Sequence, residues 1–308
     1  MTTLVLGGGG FIGRRLIRLL ADRGEDVTSM DVLAPAAGGA DGPARTLRGD
    51  VTQFDDVVKA VSTVRPTRLV NLAYSMGSDF APRSALKLNI IGMDNCFEAA
   101  RLFGVDRVVF GSSLAVAGPQ RCYGERAVTE DDFCYGRDQY GTHKIFNEWQ
   151  AEDYREKFGM DIVAVRPAQV TGVDKVVGSV DHVQCITVPA RGEAVTFPYR
   201  DLMKVPIHVD DIAEIFATII LADKVQHPVY NSGGTPISMG EIAELVREFL
   251  PDAQISFENE TGGKDQSYNY LIDNSRLIDE FGLRFPPYRD RVRQIINEAR
   301  AAAGLEPA

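Results

Sequence analysis

The sequence predicts an α/β fold: a doubly wound parallel sheet with a smaller C-terminal lobe that binds substrate. Three observations lead there. Short apolar runs alternate with helical patterns over the first two thirds of the chain, a glycine-rich turn joins the first run to the first helix, and the alternation gives way beyond Thr171. Strands this apolar, separated by helices, are those of a parallel sheet covered on both faces.

Taken in order, Thr3–Leu6, Asp26–Met30, Thr46–Arg48, Leu69–Leu72, Val105–Gly111 and Ile162–Arg166 read as strands. Helical patterns lie between them at Ile12–Arg23, Asp55–Ser62, Pro82–Phe103 and Gln139–Phe158. The Ala/Gly-rich piece Ala34–Arg45 reads as a loop. Later helices are expected at Asp210–Leu221, Ser238–Phe249 and from Tyr288 to about Ala303, among longer irregular stretches. Residues 1–171 form the expected main domain, to which a segment near 205–232 returns, and residues 172–308 form most of the interleaved lobe.

Composition narrows the function. With 44% apolar and 25% charged residues, the chain matches a soluble globular protein. A net charge of −10 argues against nucleic acid and anionic membrane surfaces as partners, though not against an anionic cofactor held by local backbone donors. No apolar run is long enough to span a bilayer, and Leu4-Val5-Leu6 follows the start without a signal-peptide layout, so a cytoplasmic location is expected. Four scattered cysteines and four unclustered histidines predict free thiols and no metal site.

Chemistry concentrates at two places. The first is the strand–turn–helix Thr3–Leu6, Gly7-Gly8-Gly9-Gly10-Phe11-Ile12-Gly13 and Arg14–Arg23, the context that a dinucleotide-phosphate turn requires. Gly7 permits the tight turn, Gly10 lets backbone approach a pyrophosphate, and Gly13 permits close packing of helix on strand. The anion would meet free N–H groups and the positive end of the helix dipole. Asp31, 18 residues after Gly13, can accept hydrogen bonds from ribose hydroxyls and repel a 2′-phosphate, which favours NAD over NADP. Arg14 and Arg15 pull the other way, since a cation near the turn can reach a 2′-phosphate.

The second place is Tyr140 and Lys144. Residues four apart on a helix share a face, and a nearby cation favours the ionised phenol. In a chain with 10 tyrosines such a spacing arises readily by chance, so the pair gains meaning only beside a redox cofactor site.

Here the chain resembles the extended short-chain dehydrogenase/reductases of the NAD-dependent epimerase/dehydratase family, over nearly its whole length. Gly7, Gly10 and Gly13 match the family's glycine spacing, and Asp50-Val51 matches the acid after the third strand that contacts adenine. Asn71-Leu72-Ala73 resembles the strand end that lines the cofactor, and Asn89 the asparagine of the central helix. Val108-Val109-Phe110-Gly111-Ser112-Ser113 with Val116-Ala117-Gly118 resembles the serine strand, and Arg166-Pro167 and Val209-Asp210-Asp211 follow in order.

The resemblance implies a Rossmann-type domain that binds NAD through Gly7, Gly10, Phe11, Ile12, Gly13, Asp31, Asp50, Val51, Leu72, Ala73, Asn89, Tyr140, Lys144, Pro167 and Val170. It implies catalysis by Ser113, Tyr140 and Lys144, with substrate contacts at Ser75, Leu114, Gln169 and Arg191. Strand alternation turns Ser112 to the opposite side from Ser113. A homodimer through the Pro82–Phe103 and Gln139–Phe158 helices is expected by the same analogy.

Departures from the family pattern bear on the reaction. Dehydratases carry an acidic pair where this chain has Leu114 and Ala115, which cannot move protons. Many sugar-nucleotide epimerases have a tyrosine at the position of Ala117 and an asparagine at that of Gln169. Arg191, Arg200 and Lys204 could bind substrate phosphates or stand as solvated charges. The expected function is an NAD-dependent dehydrogenase acting on a secondary alcohol of a small polyhydroxylated or sugar-like molecule. The alternatives are a sugar-nucleotide epimerase or, further off, a catalytically silent dinucleotide-binding regulator. Substrate specificity is expected in the stretches Ser75–Arg83, Leu114–Asp138 and Val173–Arg200. Cys122 and Cys134 are read as packing residues, His143 as structural, and His208 as ordering the lobe junction.

Overall fold

A computed structural model describes residues 1–33, 45–76 and 81–308. Its strands are β1 (Thr2–Leu6), β2 (Asp26–Asp31), β3 (Arg45–Arg48), β4 (Arg68–Asn71), β5 (Arg107–Gly111), β6 (Ile162–Arg166), β7 (Gln169–Thr171), β8 (Val195–Tyr199), β9 (Met203–Lys204), β10 (Pro206–His208), β11 (Val229–Asn231), β12 (Ile237–Ser238) and β13 (Ile255–Asn259). The helices are α1 (Phe11–Asp22), α2 (Phe54–Val64), α3 (Pro82–Leu86), α4 (Gly92–Phe103), α5 (Gln139–Phe158), α6 (Asp181–Ala190), α7 (Val209–Leu221), α8 (Met239–Phe249), α9 (Ser275–Phe281) and α10 (Tyr288–Ala302).

Seven strands form one parallel sheet in the order β11-β6-β5-β4-β1-β2-β3. The strand order reverses between β1 and β4, and the crevice beyond the strand ends at such a switch point is where open α/β sheets take ligands. Strand alternation builds both faces. Val5 of β1 joins Leu16 and Leu20 of α1 and Phe216 of α7, whereas Leu4 and Leu6 turn to Val57 of α2 and Phe97 of α4. Each of these fully buried apolar side chains contributes about 1.5–3 kcal/mol. A second core, with Ile186, Val246 and Ile296, holds α6, α8 and α10 against the β8–β13 pair.

Several expectations change in detail. The Ala34–Arg45 loop lies outside the described residues except for Arg45, which begins β3. Residues 77–80 of the Ser75–Arg83 stretch also lie outside them, and Pro82 and Arg83 belong to α3. The Pro82–Phe103 helix is interrupted by a π turn at Lys87–Ile91. The Val173–Arg200 stretch, read as irregular, contains α6 and β8. The α6 sequence DHVQCITVPA is rich in β-branched residues and carries Pro189, so its local helix propensity is poor. Packing of Cys185 and Ile186 into the second core supplies what propensity does not.

Helix α5 buries an unusual face. Its buried residues are Gly141, Lys144, Asn147 and Ala151, at helical spacing but polar or small. Its larger apolar side chains, Phe146 and Trp149, point outward.

Candidate active site

The glycine turn leaves the carboxyl end of β1 at the switch point. Gly7 has φ of 77°, and a Cβ there would lie 2.6 Å from the backbone nitrogen of Ala73, so only glycine fits. A Cβ on Gly13 would lie 2.5 Å from the Gly7 carbonyl, which welds α1 onto the turn. Gly10 caps α1 without a side-chain bond, and no acid stands in the helix's first turn. Among the described residues the N–H groups of Phe11 and Ile12 find no acceptor within the chain. An anion-sized cradle with free donors at a helix N-terminus fits the pyrophosphate of a dinucleotide.

The residues around the turn are held in place. Asp31 accepts from the Gly9 N–H at 3.0 Å and the Leu33 N–H at 3.1 Å, which fixes its carboxylate at the end of β2. Arg14 is engaged with Asp174 at 2.7 Å, and Arg15 lies 3.4 Å from Asp210. Both arginines are thus paired with carboxylates. Asp50 caps the Thr52 N–H, and the Val51 carbonyl accepts from Asn95 at 2.8 Å. Leu72 continues the pairing of β4 with β1 through the Leu6 carbonyl, and the Ala73 N–H is held by Asn71. The Phe11 ring packs where a Gly172 side chain would stand, 2.8 Å from its Cβ position. The Pro167 carbonyl accepts from the Leu114 N–H, and Val170 is buried in β7.

Asn89 lies in the π turn, the local widening that lets one residue drop out of the helical ladder. Its side chain accepts from the Ser75 N–H at 2.9 Å and donates to the Ser75 carbonyl at 3.0 Å, while its own carbonyl accepts from Asn147. His143 touches the same amide at 3.3 Å. The chain after β4 is thereby tied to α5. The Ser75 hydroxyl is buried without a partner among the described residues.

Ser113, Tyr140 and Lys144 come together at the end of β5 and the start of α5. Asp138 caps α5 by accepting from the Gly141 N–H at 2.6 Å, which sets Tyr140 in the first turn and Lys144 one turn further. The Ser113 hydroxyl accepts from the Ala115 N–H at 3.1 Å. Ser112 faces away and donates to Glu148 at 2.5 Å. Lys144 is 3% exposed, and its ammonium donates to the Gly111 carbonyl. It stands 3.1 Å from the centre of the Tyr74 ring and 5.6 Å from that of Tyr140. The two tyrosine rings meet edge to face at 5.6 Å.

Burial pushes the Tyr140 phenol up to about 12, with the Ser113 hydroxyl beside it pulling down. Burial holds the Lys144 ammonium well below its ordinary value, and Glu148, one turn along α5, works against that. A proton donor that is hard to ionise thus sits beside a cation that is hard to keep charged. The Tyr74 ring face favours the charged lysine.

Two members of this group carry little signal in the sequence. Glu148 could be found from its spacing, four residues beyond Lys144 on the same helix face. It binds Arg166 of β6 through contacts of 2.7 and 2.9 Å and so anchors α5 to the sheet. Tyr74 has no such signal, because only the tertiary fold brings the segment after β4 over α5.

The expected substrate residues are more dispersed. Leu114 is buried against Val205 and Tyr270. Gln169 spends its side-chain oxygen on the Val205 N–H at 2.9 Å. Arg191 lies at the far end of α6 and faces Glu193 at 3.4 Å. Arg200 and Lys204 pair with Glu244 and Asp181. His208 caps α7 through its Nδ1, and Cys134 lies 3.7 Å from the Arg166 guanidinium.

A family model described as the NAD dependent epimerase/dehydratase family matches residues 3–233 of the chain. The chain belongs to the NAD-dependent epimerase/dehydratase family. Its fold and cofactor follow from that membership: a Rossmann-type α/β enzyme that uses NAD. Among curated members, cinnamoyl-CoA reductase 1 from Oryza sativa subsp. japonica is 26% identical over 96% of this chain and 88% of its own length. UDP-glucose 4-epimerase from Corynebacterium glutamicum is 27% identical over 80% of each chain. A Thermus thermophilus UDP-glucose 4-epimerase in complex with NAD shares the fold at a TM-score of 0.85, with 24% identity over 98% of this chain and all of that one. A GalE-like L-threonine dehydrogenase from Cupriavidus necator does so at 0.84, with 22% identity over 97% of this chain and 99% of that one. The same fold is thus shared with proteins described as an epimerase and as a dehydrogenase.

Proposed function

We propose that this family member is an NAD-dependent dehydrogenase of a small polyhydroxylated or sugar-like substrate, oxidising a secondary alcohol through Ser113, Tyr140 and Lys144. The observation that carries this reading is the buried Lys144, set between Tyr74 and Tyr140 at the carboxyl end of β5. Bound NAD supplies the hydride acceptor. Tyr140, as phenolate, takes the alcohol proton while hydride leaves the same carbon, and the carbonyl forms. Ser113 donates to the substrate oxygen and holds it against Tyr140. Lys144 places positive charge where the phenolate must form, the kind of fixed electrostatic support that dominates such sites.

The absence of acidic side chains at Leu114 and Ala115 removes the groups that a dehydration step would need. An epimerase reading has one observation in its favour, the similarity to UDP-glucose 4-epimerase. Incubation with NAD and a panel of polyols, sugar acids and sugar nucleotides separates the two. Net absorbance of NADH supports the dehydrogenase, and conversion of a sugar nucleotide without net NADH supports the epimerase. Neither, with NAD bound, removes both and leaves a silent regulator.

The substrate is a small molecule under this reading, and the protein is a cytoplasmic homodimer. The pairing face is the outer side of the π turn and α5, where Ile91, Phe146 and Trp149 are exposed at 45, 45 and 65%.

A further inference from the structure

The two lobes face each other across a cleft of about 370 Å³ beside the start of α5. One wall is the turn from Ala115 to Arg121, another is Gly136–Asp138, and the third is Gln266–Tyr268 of the second lobe. Two of its lining residues, Ala115 and Asp138, connect it to the candidate catalytic group. Ala115 is held by the Ser113 hydroxyl, and Asp138 caps the helix whose second residue is Tyr140. The wall is close-packed: a Cβ on Gly136 would stand 2.8 Å from the Ala115 carbonyl.

The charge in this cleft is not balanced. Its carboxylate, Asp138, is already engaged on both oxygens, by the Gly141 N–H at 2.6 Å and the Tyr268 hydroxyl at 3.0 Å. Its two cations, Arg121 and Arg137, are exposed and form no ion pair among the described residues. Their neighbours differ, since Arg126 is paired with Asp132 and Lys264 with Glu125. In a chain of net charge −10, two unneutralised guanidinium groups flanking the N-terminus of α5 make a local well for an anion.

We propose that this cleft receives a carboxylate or phosphate of the substrate, gripped by Arg121 and Arg137 while its alcohol meets Tyr140. The proposal rests on the redox reading above and narrows its substrate to a compact anionic alcohol. The guanidinium fork suits either oxyanion.

Binding tests it without turnover. Titration of the full-length protein, with and without NAD, would use inorganic phosphate, 2- and 3-hydroxycarboxylates, and the neutral amides of those acids. One of the anions is expected to bind and its neutral counterpart to bind at least about tenfold more weakly, as loss of a charge-assisted hydrogen bond implies. Arg121→Gln and Arg137→Gln should each weaken anion binding by about tenfold or more, with NAD affinity unchanged. Arg137→Lys should restore part of the loss. Preference for phosphate or for carboxylate identifies the group. Equal binding of acid and amide, no anion binding by the wild type, or anion binding untouched in both glutamine variants would overturn the proposal. Failure of the redox reading is seen separately, as an anion that binds but reduces no NAD.

Discussion

Tyr140 and Lys144 each oppose the other's burial. The phenol, pushed up to about 12, holds its proton at neutral pH, and burial works against the charge on the ammonium. Charge on Lys144 lowers the cost of charge on Tyr140, so the pair works as a unit. Alcohol oxidation needs the phenolate, whose population grows with pH, so its rate should climb from pH 7 to 10. Carbonyl reduction needs the phenol and should not climb. A flat profile for oxidation would exclude Tyr140 as the base. Tyr140→Phe should cut turnover by about 10²–10⁴ while NAD still binds in a titration. Tyr74 tests the lysine from its other side. Tyr74→Phe keeps the ring face 3.1 Å from Lys144 and should leave the pH profile in place, whereas Tyr74→Leu should shift it and weaken NAD binding.

At the scale of elements, two junctions bear on function. The turn between β1 and α1 has no room for a side chain at Gly13, where a Cβ would meet Gly7 and Gly8 backbone atoms within 3.0 Å. Gly13→Val should therefore displace α1 and abolish NAD binding, with a loss of stability of about 1–3 kcal/mol in urea unfolding. Helix α5 illustrates a different balance. Its inner face is polar because it carries Lys144 and Glu148, and the Glu148–Arg166 pair replaces the apolar contacts that such a helix ordinarily makes. Its outer face carries Trp149, for which the dimer proposed above provides cover. Trp149→Glu should shift the molecular mass by light scattering from dimer to monomer, and an unchanged mass would place the dimer interface elsewhere.

Over the whole molecule, acid is the expected weakness. His182, the second residue of α6, has no exposed surface, and neither ring nitrogen has a hydrogen-bond partner among the described residues. Burial first, then Lys175 and Lys204, hold it down to about 4 from an ordinary 6.5, although Asp181 alongside opposes this. Its folded value lies below its unfolded one, so between pH 6.5 and 4 the unfolded chain takes up a proton that the folded chain refuses. Stability is therefore present at neutral pH and is lost as pH falls through that window. His208, also held down to about 4, adds in the same direction. Each contributes a loss of about 2 kcal/mol between pH 7 and 5. Urea midpoints at the two pH values should show it, and His182→Asn should lose less than the wild type. An equal loss would place the acid sensitivity elsewhere.

Much of this protein is written locally in its chain. Continuous apolar runs such as Leu4-Val5-Leu6 define strands buried on both faces, and Gly7–Gly13 between a strand and a helix defines a phosphate turn, because both depend only on near neighbours. The spacing of Tyr140 and Lys144 places them on one face for the same reason. The tertiary structure alone decided which groups surround that face. It set Tyr74 over Lys144, drew Arg14 and Arg15 off to Asp174 and Asp210, formed α6 from a sequence with poor helix propensity, and left Arg121 and Arg137 in one cleft without an ion pair among the described residues. Each of those outcomes depends on residues far apart in the chain, whose proximity and burial exist only once the sheet and the second lobe have closed on one another.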